Sequence, residues 1–219
     1  MAQPICVFGG TFNPPHLGHV RACLEAADEI GVNQVGLMPS KLPPHKGTAG
    51  VDEHDRVAMV KLACAYSDRL FAELIELTLP APSYSVKTLG ELRQRHPTTP
   101  LVFMMGQDSW DNLPSWHEWE SIHQLAHLVV LRRHGEFKPA KPDSRLTALA
   151  ETAGTTNVRH LHQQPAGCIY FANTQLQPVS STTLRNALAG NDENKHEFQL
   201  TDWLSDSVLH YIKEKRLYV

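Results

Sequence analysis

Cysteine is scarce and scattered: 219 residues carry four, Cys6, Cys23, Cys64 and Cys168, with no C-x-x-C pair among them. That spacing excludes a zinc knuckle and a disulfide framework. Reduced thiols in a cytoplasmic protein are the expectation. Basic charge is not in excess either, with 20 Lys and Arg against 23 Asp and Glu and a formal net charge of −3. A broad nucleic-acid-binding face needs a basic stripe, so none is expected, and any anion site must be local. No apolar run approaches the length of a membrane span, and the N-terminus lacks a charged, apolar leader. The chain is therefore expected to work without nucleic acid or membrane as a partner. The G-x-G-x-x-G dinucleotide fingerprint and the G-K-[ST] of a P-loop are missing as well. Nothing repeats, and no linker divides the sequence, so residues 1–219 read as a single domain.

What is present is alternation. "PICVFG", "NQVGLMP", "LFAELIEL", "PLVFMMG", "HLVVLRR" and "GCIYFAN" are short apolar runs that read as strands. Between and after them lie helical patterns. In "HLGHVRACLEAADEIG", Leu17, Val20, Leu24, Ala27 and Ile30 fall at helical spacing and Gly31 marks the stop. Asp52 is placed to cap "EHDRVAMVKLACAYS". "APSYSVKTLGELRQRH" becomes helical near Ser83 or Ser85, "SRLTALAETA" reads as a further helix, and "SSTTLRNALAG" and "WLSDSVLHYIKEKRL" close the chain as two more. Residues 40–50 and 134–142 read as loops. Strands alternating with helices predict an α/β fold, a Rossmann-like, doubly wound parallel sheet with helices on both faces.

In such a sheet, ligands bind beyond the carboxyl ends of the strands. The first strand-to-helix loop, with its free N–H groups and helix dipole, favours a phosphate. Here that loop is "GGTFNPPHLGH", residues 9–19. Its glycines allow close backbone approach. His16 and His19, three residues apart, share a helix face and can aim imidazole N–H groups at one phosphate chain. A neighbouring polyanion would favour the protonated rings. The same pair is compatible with a helix cap or a surface group. A metal is less well served, because no nearby carboxylate or cysteine completes a ligand set.

"GGTFNPPHLGH" resembles the G-x-F-D-x-x-H-x-G-H signature of the H-x-G-H nucleotidyltransferases, and "SSTTLR" (180–185) matches their second element, S-S-T-x-[IL]-R. Between them stand "PPHK" (43–46), "PSYS" (82–85), "GQDSW" (106–110) and "PSWHEWE" (114–120), with "YIKEKRLY" at the C-terminal end. In this order they resemble the bacterial nicotinate-nucleotide adenylyltransferase family over nearly the whole chain.

The resemblance implies adenylyl transfer from ATP to nicotinate mononucleotide. It places Gly9, Gly10, Thr11, Phe12, His16, His19, Gly106, Asp108, Arg133, Ser181, Thr182 and Arg185 at ATP. Of these, His16, His19 and Arg185, together with Lys46, would act on the reacting phosphates. The mononucleotide would meet Ser40, Lys46, Tyr84, Ser85, Asp108 and Trp116, the indole stacking on the nicotinate ring. No dedicated metal site is implied; Mg²⁺ would arrive with the triphosphate. Oligomeric state is not readable. Asn13 stands where the signature has aspartate, Ser40 where asparagine is frequent, Ser85 where threonine is frequent, and His134 where a proline follows the arginine. Rival readings are a phosphopantetheine adenylyltransferase, a class I aminoacyl-tRNA synthetase fragment and a non-catalytic nucleotide sensor. The first is shorter and lacks the "PSWHEWE" region. The second needs a K-M-S-K-S-like loop and a basic face that the sequence does not have.

Overall fold

The structure, a computed structural model, describes residues 3–41, 51–132, 143–175, 177–190 and 199–219. Six parallel strands form one sheet: β1 (Ile5–Gly10), β2 (Val35–Pro39), β3 (Leu70–Ala72), β4 (Leu101–Gly106), β5 (His127–Leu131) and β6 (Ile169–Ala172). Their spatial order is β3-β2-β1-β4-β5-β6. β1 pairs with β2 through Phe8 opposite Leu37, and with β4 through Val7 opposite Phe103. The chain first winds outward from β1 to β3 and then returns to the far side of β1. The order therefore reverses between β1 and β4, where a crevice opens beyond the strand ends.

Strand alternation divides the core into two layers. Cys6, Phe8, Val102, Met104, Val129 and Leu131 point to one face. Helices α1 (Leu17–Ile30), α2 (Glu53–Cys64), α9 (Ser181–Leu188) and α11 (Asp206–Lys215) cover that face. Val7, Leu101, Phe103, Met105, Leu128 and Val130 point to the other. There they meet α4 (Ser85–Arg95), α6 (Trp119–Leu125) and α7 (Ser144–Ala153). Both faces are buried, so the strands are apolar at nearly every position. The expected doubly wound architecture is present.

The helix signals act as the sequence predicts. Gly31 takes a left-handed conformation (φ 70°), and its N–H donates to the carbonyls of Ala27 and Asp28. The Asp52 carboxylate accepts from the Asp55 N–H at 2.7 Å. All four cysteines are buried and free. Burial pushes the Cys23 thiol up to about 12 and the Cys64 thiol to about 11, so they are core groups rather than nucleophiles.

Two readings are corrected. "LFAELIEL" is a strand only over Leu70–Ala72. The Glu73 N–H still reaches the Leu37 carbonyl at 2.9 Å, but the Glu73 carboxylate then accepts from the Ile75 N–H at 2.9 Å. That turns the chain into the short helix α3 (Ile75–Thr78). The helix α4 begins at Ser85, as expected, with Tyr84 as its cap residue and no side-chain hydrogen bond at the cap. The closing helix is two, α10 (Leu200–Trp203) and α11, because the Ser205 hydroxyl starts a new helix by accepting from the Val208 N–H. Two further helices went unforeseen, α5 (Gln107–Asp111) and α8 (His160–Gln163). The readings at residues 42–50, with Lys46, and at residues 133–142, with Arg133 and His134, lie outside the described residues.

Candidate active site

The turn from β1 into α1 is built by close packing. A Cβ on Gly9 would lie 2.5 Å from the Phe103 ring, so only glycine fits there. Phe12 takes a left-handed conformation (φ 49°), which costs about 1–2 kcal/mol for a non-glycine residue. Its ring is 1% exposed, packed edge-on against Phe8 at 5.6 Å and His19 at 5.2 Å. Burying a phenyl ring is worth about 1.5–3 kcal/mol, enough to hold the strained backbone. Gly18 is required for a different reason. A Cβ there would meet Val179 at 2.7 Å and the His16 Nδ1 at 2.9 Å. The missing side chain lets the segment ahead of α9 close on the first turn of α1.

His16 and His19 cap the helix reciprocally. The His16 Nδ1 accepts from the His19 N–H at 3.3 Å, and the His19 Nδ1 accepts from the His16 N–H at 3.2 Å. Two of the helix's unpaired donors are thereby satisfied. The rings stack with centroids 3.6 Å apart and planes 24° from parallel. A ring that accepts at Nδ1 carries its proton on Nε2, so both Nε2–H groups are presented together as donors. The protonated ring anticipated beside a polyanion would place an N–H against each capping N–H. The capped, neutral form is the one that this geometry fits.

The second motif arrives from the other end of the chain. Ser180 caps α9 by accepting from the Thr183 N–H at 3.1 Å. The Ser181 hydroxyl donates to the Pro14 carbonyl at 2.9 Å. Arg185 donates from Nη1 to the Asn13 carbonyl at 2.7 Å and from Nη2 to the Thr182 Oγ1 at 3.0 Å. The Tyr218 hydroxyl donates to the Asn13 Oδ1 at 2.5 Å. Arg56, 1% exposed on α2, donates from Nη1 to the Thr11 carbonyl at 3.1 Å. Burial lowers the proton affinity of this guanidinium, and Glu53, Tyr218, Glu76 and Asp52 oppose that effect.

These elements enclose a cleft of about 560 Å³ at the β1/β4 switch point. Gly9, Gly10, Thr11 and Phe12 form its floor, and His16 and His19 one side. Ser181, Thr182 and Arg185 come from α9, and Gly106 and Asp108 from the end of β4 and the start of α5. Sequence reasoning missed Gly18, Arg132, Thr174 and Gln175, which also line it. Arg132 directly follows β5, its guanidinium 4.7 Å from the Phe171 ring centroid and its carbonyl accepting from the Thr174 hydroxyl at 2.6 Å. The signal for the 173–175 wall was acidic: Glu29 accepts from the Asn173 N–H and Glu25 from the Gln175 N–H, both at 2.8 Å. Among the described lining residues, Asp108 is the one carboxylate, against Arg132 and Arg185. Asp52, His54 and Asp55 could together reach a metal ion, but they sit at the start of α2 and do not line the cleft.

Ser40, Tyr84, Ser85 and Trp116 do not line this cleft. They gather along an adjoining edge. The Ser40 N–H donates to the Gly10 carbonyl at 2.9 Å. The Tyr84 ring lies 4.2 Å from the His117 ring, joining the start of α4 to the "PSWHEWE" segment. Trp116, half-buried, packs against Phe103 at 6.4 Å, and Phe103 in turn abuts Gly9.

The fold and the paired-histidine cleft define a nucleotidyltransferase, and residues 7–187 match the family model "Cytidylyltransferase-like". The curated relatives narrow this: the chain belongs to the nicotinate-nucleotide adenylyltransferase family. It is 38% identical over 218 residues, covering 100% of this chain and 98% of the relative, to the "Probable nicotinate-nucleotide adenylyltransferase" of Aeromonas salmonicida. It is 40% identical over 184 residues, 84% of this chain and 86% of the relative, to that of Shewanella sediminis. The fold also matches the Plasmodium falciparum nicotinic acid mononucleotide adenylyltransferase complexed with NaAD, with a TM-score of 0.69 at 18% identity over 99% of this chain and 98% of that one.

Proposed function

We infer that this chain transfers the adenylyl group of ATP to nicotinate mononucleotide, giving nicotinate adenine dinucleotide and pyrophosphate in NAD biosynthesis. Residues 1–219 act as one nucleotidyltransferase domain in the cytoplasm. The observation that carries the chemistry is the reciprocal cap that stacks His16 on His19 at 3.6 Å in the cleft. Family membership supports the choice of substrates.

A mononucleotide phosphate oxygen attacks the α-phosphorus of ATP. The new P–O bond forms as the bond to the β-phosphate bridging oxygen breaks, and pyrophosphate leaves with that electron pair. The nucleophile is already anionic, so no general base and no covalent intermediate are needed. Catalysis then rests on alignment and charge stabilisation. The two Nε2–H donors act on the phosphates of ATP. The backbone of Gly10, Thr11 and Phe12 approaches the α-phosphate, and the N-terminus of α9 with Arg185 receives the outer phosphates. Arg185 also holds the Asn13 carbonyl, so it shapes the turn that meets the α-phosphate. The substrate is MgATP. A cleft with one described carboxylate fits an ion carried by the triphosphate better than one held by the protein. At the adjoining edge, Trp116 stacks on the pyridine ring, and N–H groups at the start of α4, near Tyr84 and Ser85, receive its carboxylate.

The test is incubation of the purified chain with MgATP and nicotinate mononucleotide. Stoichiometric pyrophosphate and dinucleotide are expected. Tight binding of ATP without product would turn the reading to a nucleotide sensor.

A further inference from the structure

Glu76 lies on α3, in the stretch that looked like a strand, and it is 5% exposed. Burying a carboxylate is unfavourable unless donors surround it. Three do. The Lys41 N–H donates to Oε1 at 2.9 Å, the Ser83 hydroxyl to Oε1 at 3.0 Å and the Thr88 hydroxyl to Oε2 at 3.4 Å. Lys41 follows Ser40 at the end of β2, whereas Ser83 and Thr88 flank Tyr84 and the first turn of α4. One carboxylate thus fastens the two segments that carry Ser40 on one side and Tyr84 and Ser85 on the other. The Lys41 Nζ reinforces the joint by donating to the Leu79 carbonyl at 2.8 Å. Through the Ser40 N–H on the Gly10 carbonyl, the same joint is tied to the glycine turn.

We propose that Glu76 is a positioning residue for the mononucleotide half of the site, setting the spacing between the end of β2 and the start of α4 that grips the acceptor nucleotide. The inference rests on the mononucleotide reading of that edge. All three partners are donors, so an acceptor-only group matches them fully and an amide matches them in part. Removing the acceptor leaves the partly buried Lys41 N–H and the Ser83 hydroxyl without it, Thr88 falls back on the Tyr84 carbonyl at 3.4 Å, and the two segments lose their common anchor.

The experiment is a pair of KM titrations, against ATP and against nicotinate mononucleotide, for wild type, Glu76→Ala, Glu76→Gln and Ser83→Ala. Glu76→Ala should raise the mononucleotide KM about tenfold while the ATP KM stays within about twofold. Glu76→Gln should restore most of the loss, and Ser83→Ala, a milder change that keeps the carboxylate, should raise the same KM about threefold. If Glu76→Ala does not fold, Glu76→Gln and Ser83→Ala decide the matter by the same split. A merely structural carboxylate would lower Tm and the active fraction and leave both KM values unchanged, which overturns the proposal. An equal rise in both KM values overturns it too. A wild type that makes no dinucleotide would sink the functional reading itself, and this inference with it.

Discussion

The turn at residues 9–19 and the joint at residues 76–88 are both built on side chains that accept backbone N–H groups, yet they were not equally visible. In the turn, His16 and His19 bind each other's backbone three residues away. In the joint, Glu76 binds a backbone N–H 35 residues earlier and hydroxyls 7 and 12 residues later. A local cap is written in the spacing of neighbours. A long-range anchor is written only in the fold. On the proposed reading the difference also divides the chemistry, the turn meeting the reacting phosphates and the joint framing the acceptor's binding edge.

The largest effects should fall on the turn. His16→Ala and His19→Ala should each lower kcat/KM about a hundredfold, the loss typical of a donor aimed at developing charge. His16→Asn separates chemistry from folding. Asparagine is a good N-cap, so Tm should stay near wild type while turnover remains low. Recovery of turnover by His16→Asn would reduce the histidine to a cap.

Arg185→Ala should raise the ATP KM about tenfold and spare the mononucleotide KM, and Arg185→Lys should recover only part, because lysine cannot bridge Asn13 and Thr182 as the guanidinium fork does. A selective loss of mononucleotide affinity would put Arg185 in the wrong half. On the other side of the comparison, Trp116→Ala should raise the mononucleotide KM about fivefold, matching a lost ring stack, with ATP use nearly unchanged. Equal effects on both substrates would erase the division between the halves.

The division explains what the sequence revealed. The parallel sheet with helices on both faces followed from strands alternating with helices, and the Gly31 stop and Asp52 cap from residues whose partners are one turn away. The cleft residues of the two end motifs were legible through their resemblance to the two signatures, although Ser181 and Arg185 find their partners Pro14 and Asn13 at the other end of the chain. Arg56 was not: its partner, the Thr11 carbonyl, lies 45 residues away, and a lone arginine on a helix rich in charged residues reads as solvated. Arg132 was missed because the end of a strand depends on where pairing stops, and β5 stops at Leu131. Glu76 was missed because its run mixes apolar and acidic residues in a way that fits a half-exposed strand. Only the Glu73 side chain, by bonding the Ile75 N–H, ends that strand early.

The smallest effect lies away from the site. His127 is fully buried; its Nε2–H donates to the Gln164 carbonyl at 2.8 Å and its Nδ1 accepts from the Cys168 N–H at 3.1 Å. Burial depresses its pKa below the usual 6.5, so the folded state keeps the ring neutral. Below about pH 6.5 the unfolded chain takes up that proton first, and stability from this residue is present above that pH and falls as acid is added. One proton limits the slope to about 1.4 kcal/mol per pH unit. Urea midpoints at several pH values should show a shallower acid dependence in His127→Gln than in wild type, and parallel curves would contradict the assignment.

The central claim is that this chain adenylylates a pyridine mononucleotide whose carboxylate it recognises. It is tested most directly by measuring kcat/KM for nicotinate and nicotinamide mononucleotides with MgATP under one condition. A buried N–H that meets an amide NH₂ instead of a carboxylate oxygen loses a few kcal/mol, so the acid should be preferred about a hundredfold or more. Equal use of the two would contradict carboxylate recognition at the start of α4, and dinucleotide formation from neither would contradict the account as a whole.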